Sequence, residues 1–302
     1  MAVKYVNSVT GLDVNAGTAI APYKTVDKAI SVVAANDTII LVATATDYST
    51  SLKTLPAGLT IKSETIPNMV KQVYARINFA ASAVTWTLQG NITFENLVFY
   101  NWSGTTDSSF IYHGRIAGID QIMQFTNCVI DTVLTGSSSG GRGAFIGGGG
   151  SVTGITQNSV TTNFDRCLIT NIKNKYASAI SAFLVFTPSN AWSVNIREST
   201  FYNDATGYKL WGIVGFYGTV GVVTYRNTIL KSDHADQPLM GSGYGANQPA
   251  ATIASYCCLD GFDQRSATIT NSINADPLFL DKSAKDYRLR ADSPAIDTGV
   301  LV

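Results

Sequence analysis

Charge is scarce in this chain. Asp, Glu, Lys and Arg make up 14% of the 302 residues and cancel to zero net charge, and glutamate occurs only at Glu64, Glu95 and Glu198. Without a Lys/Arg run or a basic face, nucleic acid is excluded as a partner, because phosphate binding needs clustered cations. No apolar run is long enough to span a bilayer, so membrane insertion is excluded too. The N-terminus, MAVKYVNSVTGLDVNAG, lacks the apolar core of a signal peptide, so synthesis and folding in a cytoplasm are expected. Cysteine is limited to Cys128, Cys167, Cys257 and Cys258, with no zinc-finger spacing. His234, beside Asp233 and Asp236, has too few neighbouring ligands for a metal, and the Gly147–Gly150 run lacks the strand–helix context of a phosphate cradle. No metal and no cofactor are expected.

What the chain does have is a register. Six segments superpose: ITFENLVF from Ile92, MQFTNCVI from Met123, TNFDRCLI from Thr162, VNIRESTF from Val194, VTYRNTIL from Val223 and IASYCCLD from Ile253. Their third residues, Phe94, Phe125, Phe164, Ile196, Tyr225 and Ser255, lie 31, 39, 32, 29 and 30 residues apart. A period of this size means stacked units, each burying its apolar face on its neighbours. Apolar and polar columns alternate as in a strand with one wet face. The phase then breaks at Asn96, Asn127, Arg166, Glu198, Asn227 and Cys257. This Asn-rich corner suits a bend, since Asn accepts unusual backbone angles, and its stacked amides can bond from unit to unit. An inward column of Leu97, Cys128, Cys167, Ser199, Thr228 and Cys258 follows, and these cysteines read as small core fillers. Adjacent units also bring Cys128 and Cys167 within reach of a disulfide, which a reducing cytoplasm disfavours. Short apolar runs at Ser109–Tyr112, Ala144–Ile146, Ala182–Phe186 and Trp211–Phe216 read as one further strand per unit. The intervening stretches are too Gly/Ser/Asn-rich for the helices of an α/β fold. The spacing predicts an all-β, parallel β-helix of about eight coils, roughly 40 Å long at ~4.8 Å per coil.

Both ends carry further patterns. The start has Tyr5-Val6, Gly11, Asp13, Asn15, Gly17-Thr18, Pro22-Tyr23-Lys24-Thr25 and Asp37-Thr38-Ile39, with helical spacing at Val26, Ala29, Ile30 and Val33. The end has Asn274-Ala275-Asp276-Pro277-Leu278-Phe279, Asp286-Tyr287-Arg288-Leu289 and Ser293-Pro294-Ala295-Ile296-Asp297-Thr298-Gly299. These resemble the opening and closing patterns of right-handed parallel β-helix proteins of the pectate-lyase-like superfamily. The resemblance implies one β-helix domain over 1–302: an N-terminal strand and capping helix over 1–35, coils over 36–273 and a C-terminal cap over 274–302. It implies no single function, since this scaffold hosts lyases, hydrolases, esterases, adhesins and viral spikes.

Candidate sites follow from chemistry. Glycan cleavage needs paired carboxyls or a calcium cluster with a base. The paired Asp-Asp and Arg-Ile-Lys of the polygalacturonase branch are missing. Glu95, Asp165 and Arg197 share an outward column, where they form either a catalytic set or a solvated charge ladder. His113 and Arg115 follow Tyr112 on one strand, as an acid/base pair or an ordinary surface pair. Trp102, Tyr112, Trp192, Trp211, Tyr217 and Tyr244 are expected on the excursions, placed to stack on sugar rings. One outward column, Val98, Val129, Leu168, Thr200, Ile229 and Leu259, is mostly apolar and stacks into a stripe about 25 Å long. Such a stripe marks a contact, either lateral self-association, most simply a homotrimer, or a covering loop of the same chain. These features resemble a bacteriophage virion protein, a tail spike, fibre or head-decoration protein, made in the host cytoplasm, contacting other virion proteins and binding host-surface polysaccharide. The competing expectation is a polysaccharide lyase or glycoside hydrolase.

Overall fold

Alternation along each repeat produces strands whose inward side chains land on the equivalent residues one turn away. The computed structural model describes residues 1–64, 74–79, 86–103, 109–113, 119–135, 144–148, 159–174, 182–186, 191–204, 212–216, 221–235, 238–243, 251–264 and 267–299. Among these residues, three parallel sheets of ten, eight and seven strands wind around one core. The first sheet runs from Val3–Val6 through Ile92–Glu95, Gln121–Thr126, Ser159–Asp165 and Ala191–Arg197 to Ala267–Thr270. The second runs from Ala75–Asn78 through Val129–Thr135 and Leu168–Asn174 to Ile273–Asn274. The third holds Ser109–His113, Ala144–Gly148, Ala182–Phe186 and Gly212–Phe216, where the short apolar runs predict strands. The fold is a right-handed parallel β-helix, the hand that parallel crossovers favour. The eight expected coils match the second sheet; the first has two further strands, Val3–Val6 and Thr38–Leu41, at its N-terminal end.

Phe94, Phe125, Phe164, Ile196 and Tyr225 lie in register and are fully buried. Phe125 stacks on Phe94 and on Phe164 at 4.9 Å each. The corner column has left-handed backbone throughout: Asn96, Asn127, Arg166, Glu198 and Asn227 have φ of 57°, 52°, 53°, 49° and 49°. Asn127 Nδ2 donates to Asn96 Oδ1 at 3.2 Å, and Arg166 Nε donates to Asn127 Oδ1 at 2.9 Å. The next column does more than fill space. The Ser199 hydroxyl donates to the carbonyls of Arg197 at 2.6 Å and of Phe164, one turn back, at 3.5 Å; Thr228 repeats this on Arg226 at 2.9 Å and Ile196 at 3.0 Å. The Cys128 and Cys167 thiols take the same position, near the carbonyls of Thr126 and Asp165 at 3.4 Å each. A small donor belongs there because the bend leaves those carbonyls turned inward.

The register corrects one reading. The sixth segment is displaced by one: Tyr225 pairs with Ala254, and Leu230 with Leu259. Tyr256, with φ 54°, therefore occupies the corner, Cys257 joins the inward donor column, and Leu259 points into the core with 1% exposure. The C-terminal segment, in turn, does not lie only across the end of the rod. Its antiparallel hairpin, Phe279–Asp281 with Asp286–Leu289, lies along the outer flank of the second sheet, where Phe279 and Tyr287 pack on Tyr202 at 5.9 and 5.1 Å.

At the N-terminal end the helix Val26–Val32 buries Val26, Ala29 and Ile30 over the first turn. Thr25 Oγ1 caps it by accepting from the Lys28 amide at 3.1 Å, and Asp13 accepts from the amides of Lys24 and Thr25 at 3.0 and 2.9 Å. Gly11 is required, since a Cβ would sit 2.1 Å from the Tyr23 carbonyl oxygen. No helix among the described residues is long and apolar enough to cross a membrane.

Candidate functional site

The outward columns decide what the rod presents. On the first sheet, Glu95, Thr126, Asp165, Arg197 and Arg226 stack in register, as expected. Arg197 grips Asp165 with Nε at 2.8 Å and Nη2 at 3.1 Å, and Gln124 Nε2 adds a bond at 2.8 Å. Both carboxylate oxygens are thus engaged, while Glu95 stands two turns away, roughly 10 Å at strand spacing. This is a charge ladder on a solvated face. In the third sheet Tyr112 is half-buried, in register with Thr87 and Gly147. His113 is placed by its backbone alone, and Arg115 lies outside the described residues.

The aromatic expectation is overturned at Trp102 and Trp192. Trp102 follows a second left-handed corner at Asn101, φ 61°, which turns it inward in register with Val133; it is 2% exposed. Trp192 begins an alternation with Val194 and Ile196 and is 3% exposed. Neither is available to stack on a sugar. Trp211, Tyr217 and Tyr244 lie outside the described residues. The apolar stripe is also smaller than expected. Val98, Val129, Leu168, Thr200 and Ile229 face outward but are half-buried, and Leu259 is lost to the core.

The structure assembles a different site two columns further on. Asp131, Thr170, Tyr202, Lys231 and Asp260 are consecutive outward residues of the second sheet. The C-terminal hairpin faces them. Lys285 Nζ reaches Asp131 Oδ2 at 2.7 Å and Lys282 Nζ reaches Asp233 Oδ2 at 2.6 Å. The Tyr202 hydroxyl donates to Asp233 Oδ2 at 2.8 Å, and Lys231 sits 3.0 Å from Asp233 and 2.5 Å from Asp260. Asn171 donates to Asp131 at 2.5 Å, and Lys173 pairs with Asp204 at 3.0 Å. Between sheet and hairpin lies a cleft of about 390 Å³ lined by Asn171, Tyr202, Asp204, Lys282, Ser283, Lys285 and Tyr287. A smaller cleft, about 160 Å³, lies beside Lys24, Thr46, Asp47 and Tyr48 near the other end.

Titration follows these contacts. Burial pushes the Asp131 carboxyl up, but bonds from Lys285, Asn171 and Thr170 outweigh it and hold the pKa below the usual carboxylate value. Asp233 is lowered the same way, its burial outweighed by Lys282, Lys231 and Tyr202. Burial, then the Asp131 charge, pushes Tyr287 up to about 12; burial and Asp233 raise Tyr202. At neutral pH the carboxylates are charged and paired, and both phenols keep their protons. The cleft therefore offers fixed donors and acceptors around two tyrosines, groups that can form hydrogen bonds with a polar ligand. Among the described residues, no three His, Cys, Asp or Glu side chains form a metal-holding group.

A family described as proteins of unknown function, DUF1565, matches residues 9–107. No curated protein matches the chain. Among solved structures, a rhamnogalacturonan lyase is similar over 100% of this chain and 95% of its own, with 11% identity and a TM-score of 0.40. The lacto-N-biosidase from Eubacterium ramulus is similar over 89% of this chain and 62% of its own, with 10% identity and a TM-score of 0.38. At these identities neither neighbour's activity transfers to this chain.

Proposed function

We propose that this chain is a rigid β-helical structural protein of a bacteriophage virion, a spike, fibre or decoration module, which binds host-surface glycans in its flank cleft. The observation that carries the reading is the cleft: hydrogen-bonding groups locked by ion pairs and two tyrosines, on a stiff stacked scaffold. Preorganised polar groups of this kind bind a ligand without first paying for their own ordering. The virion setting is part of this proposal and rests only on the expectation drawn from the sequence, the stacked repeat with its outward apolar column. A homotrimer packed through Val98, Val129, Leu168 and Ile229 belongs to the same proposal, and a single-chain mass in light scattering removes it. The experiment for the main reading is a glycan array probed with the full chain, followed by the Tyr287→Ala variant. Retained glycans whose capture weakens at least tenfold in the variant support it; a blank array rejects it.

A second reading, a polysaccharide lyase or glycoside hydrolase, is favoured by one observation: Asp204 lines this cleft, and Asp131 and Asp233 are paired with its lysines Lys285 and Lys282. Release of unsaturated or reducing ends from a bound glycan would establish it and displace the structural reading.

A further inference from the structure

We infer that the flank cleft selects uncharged sugar residues over acidic ones, a conclusion that rests on the glycan-binding reading above. The reason is electrostatic closure. Lys285 with Asp131, Lys282 and Lys231 with Asp233, Lys231 with Asp260, and Lys173 with Asp204 are all paired at 2.5–3.0 Å. Four lysines thus face four aspartates. Asp276, 3.8 Å from Lys231 at the margin, tips the balance slightly negative. A carboxylate entering this cleft finds the charge of each ammonium already balanced, and must either displace an aspartate or lose water beside that aspartate's negative charge. Both are unfavourable, because a desolvated charge needs full compensation.

A sugar hydroxyl meets no such obstacle. An ammonium carries three donors, and the contacts of Lys285 and Lys282 with their aspartates leave donors to spare. The Ser283 and Tyr287 hydroxyls and the Asn171 amide also line the cleft. Hydroxyls that both give and accept match this interleaved set. The Tyr287 ring, held by Tyr202 at 5.1 Å and Phe279 at 5.5 Å, is half-buried and supplies an apolar wall for the C–H side of a pyranose. The cleft volume of about 390 Å³ lies low in the usual range of ligand sites, about 300–1,000 Å³, so it fits a chain end or branch. Four of its seven lining residues come from the hairpin segment, so the ligand bridges two parts of the chain far apart in sequence.

The test is calorimetry on the full chain with matched neutral hexose or N-acetylhexosamine oligosaccharides and their uronate- or sialate-bearing counterparts. Neutral ligands are expected to bind at least tenfold more tightly, with little change between about 0.05 and 0.5 M salt, where a charge-driven complex would weaken. Asp131→Asn, which frees Lys285, is expected to gain affinity for the acidic series several-fold while its circular dichroism stays that of the wild type. If Asp131→Asn does not fold, the wild-type preference and salt series decide alone. A wild-type preference for acidic sugars, or affinity that falls steeply with salt, overturns the inference and leaves glycan binding standing. Binding of neither series overturns both.

Discussion

Glu198 sits at φ 49° in a column whose other members include three asparagines, and replacing it with Asn is expected to stabilise the rod. A residue with a Cβ pays roughly 1–2 kcal/mol for left-handed backbone, and Asn pays least after Gly. Asn also shortens the side chain to the length that bonds along the corner, as Asn127 does to Asn96 at 3.2 Å. One such bond contributes about 0.5–1 kcal/mol net. Glu198→Asn should therefore add about 1–2 kcal/mol, since the neighbours Arg166 and Asn227 stay in place. Glu198→Ala keeps the strained angle and gains no amide, so it should add nothing. Thermal unfolding is the assay, with an expected rise of about 2–4 °C for Asn. If Glu198→Asn and Glu198→Ala behave alike, neither the strain nor the amide ladder contributes to stability.

Phe125→Ala removes the middle ring of the pillar and should cost about 3–5 kcal/mol, more than Phe125→Leu; equal unfolding midpoints for the two would show that ring stacking is irrelevant. The C-terminal hairpin should loosen in acid. Asp131 and Asp233 have depressed values in the folded chain, so their contribution is full above the ordinary carboxylate value of about 4 and is lost as pH falls below it. Hydrogen exchange at pH 3, corrected for intrinsic rate, should open Phe279–Leu289 before Ser159–Asp165, and simultaneous opening would contradict the ion-pair account. All four cysteines are buried, and burial pushes the Cys167 thiol well up and the Cys258 thiol to about 11. Ellman's reagent at neutral pH should find no reactive thiol in the folded chain and four in denaturant.

The sequence made the winding legible because two columns carry unmistakable chemistry, a ring at the pillar and an amide at the bend. Where both fail, the alignment slipped: Ala254 replaces the ring and Tyr256 the asparagine, and the sixth segment is read one residue out. Trp102 and Trp192 escape the alignment because strand alternation continues beyond the aligned segments, before Val194 for Trp192 and through a second corner at Asn101 for Trp102. The cleft needed one more fact. Its Asp131, Tyr202 and Lys231 stand in columns of the same repeat, but their partners come from the tail, with Lys285 lying 154 residues from Asp131. No period in the sequence links them. The expected charge ladder at Asp165 and Arg197 was placed correctly, and its bidentate contact shows why it is a surface pair.

The tail has a mechanical consequence. Stacked solenoids normally fray from their ends, one rung at a time, because each rung holds only its neighbours. Here the segment that follows the last strand of the second sheet is clasped to Asp131, on a strand five places earlier in that sheet. Peeling the final rung leaves the tail still fastened upstream, so loss of that rung does not free the chain to unspool. The clasp converts the last five turns into one unit that must let go together, and unravelling is directed to begin elsewhere.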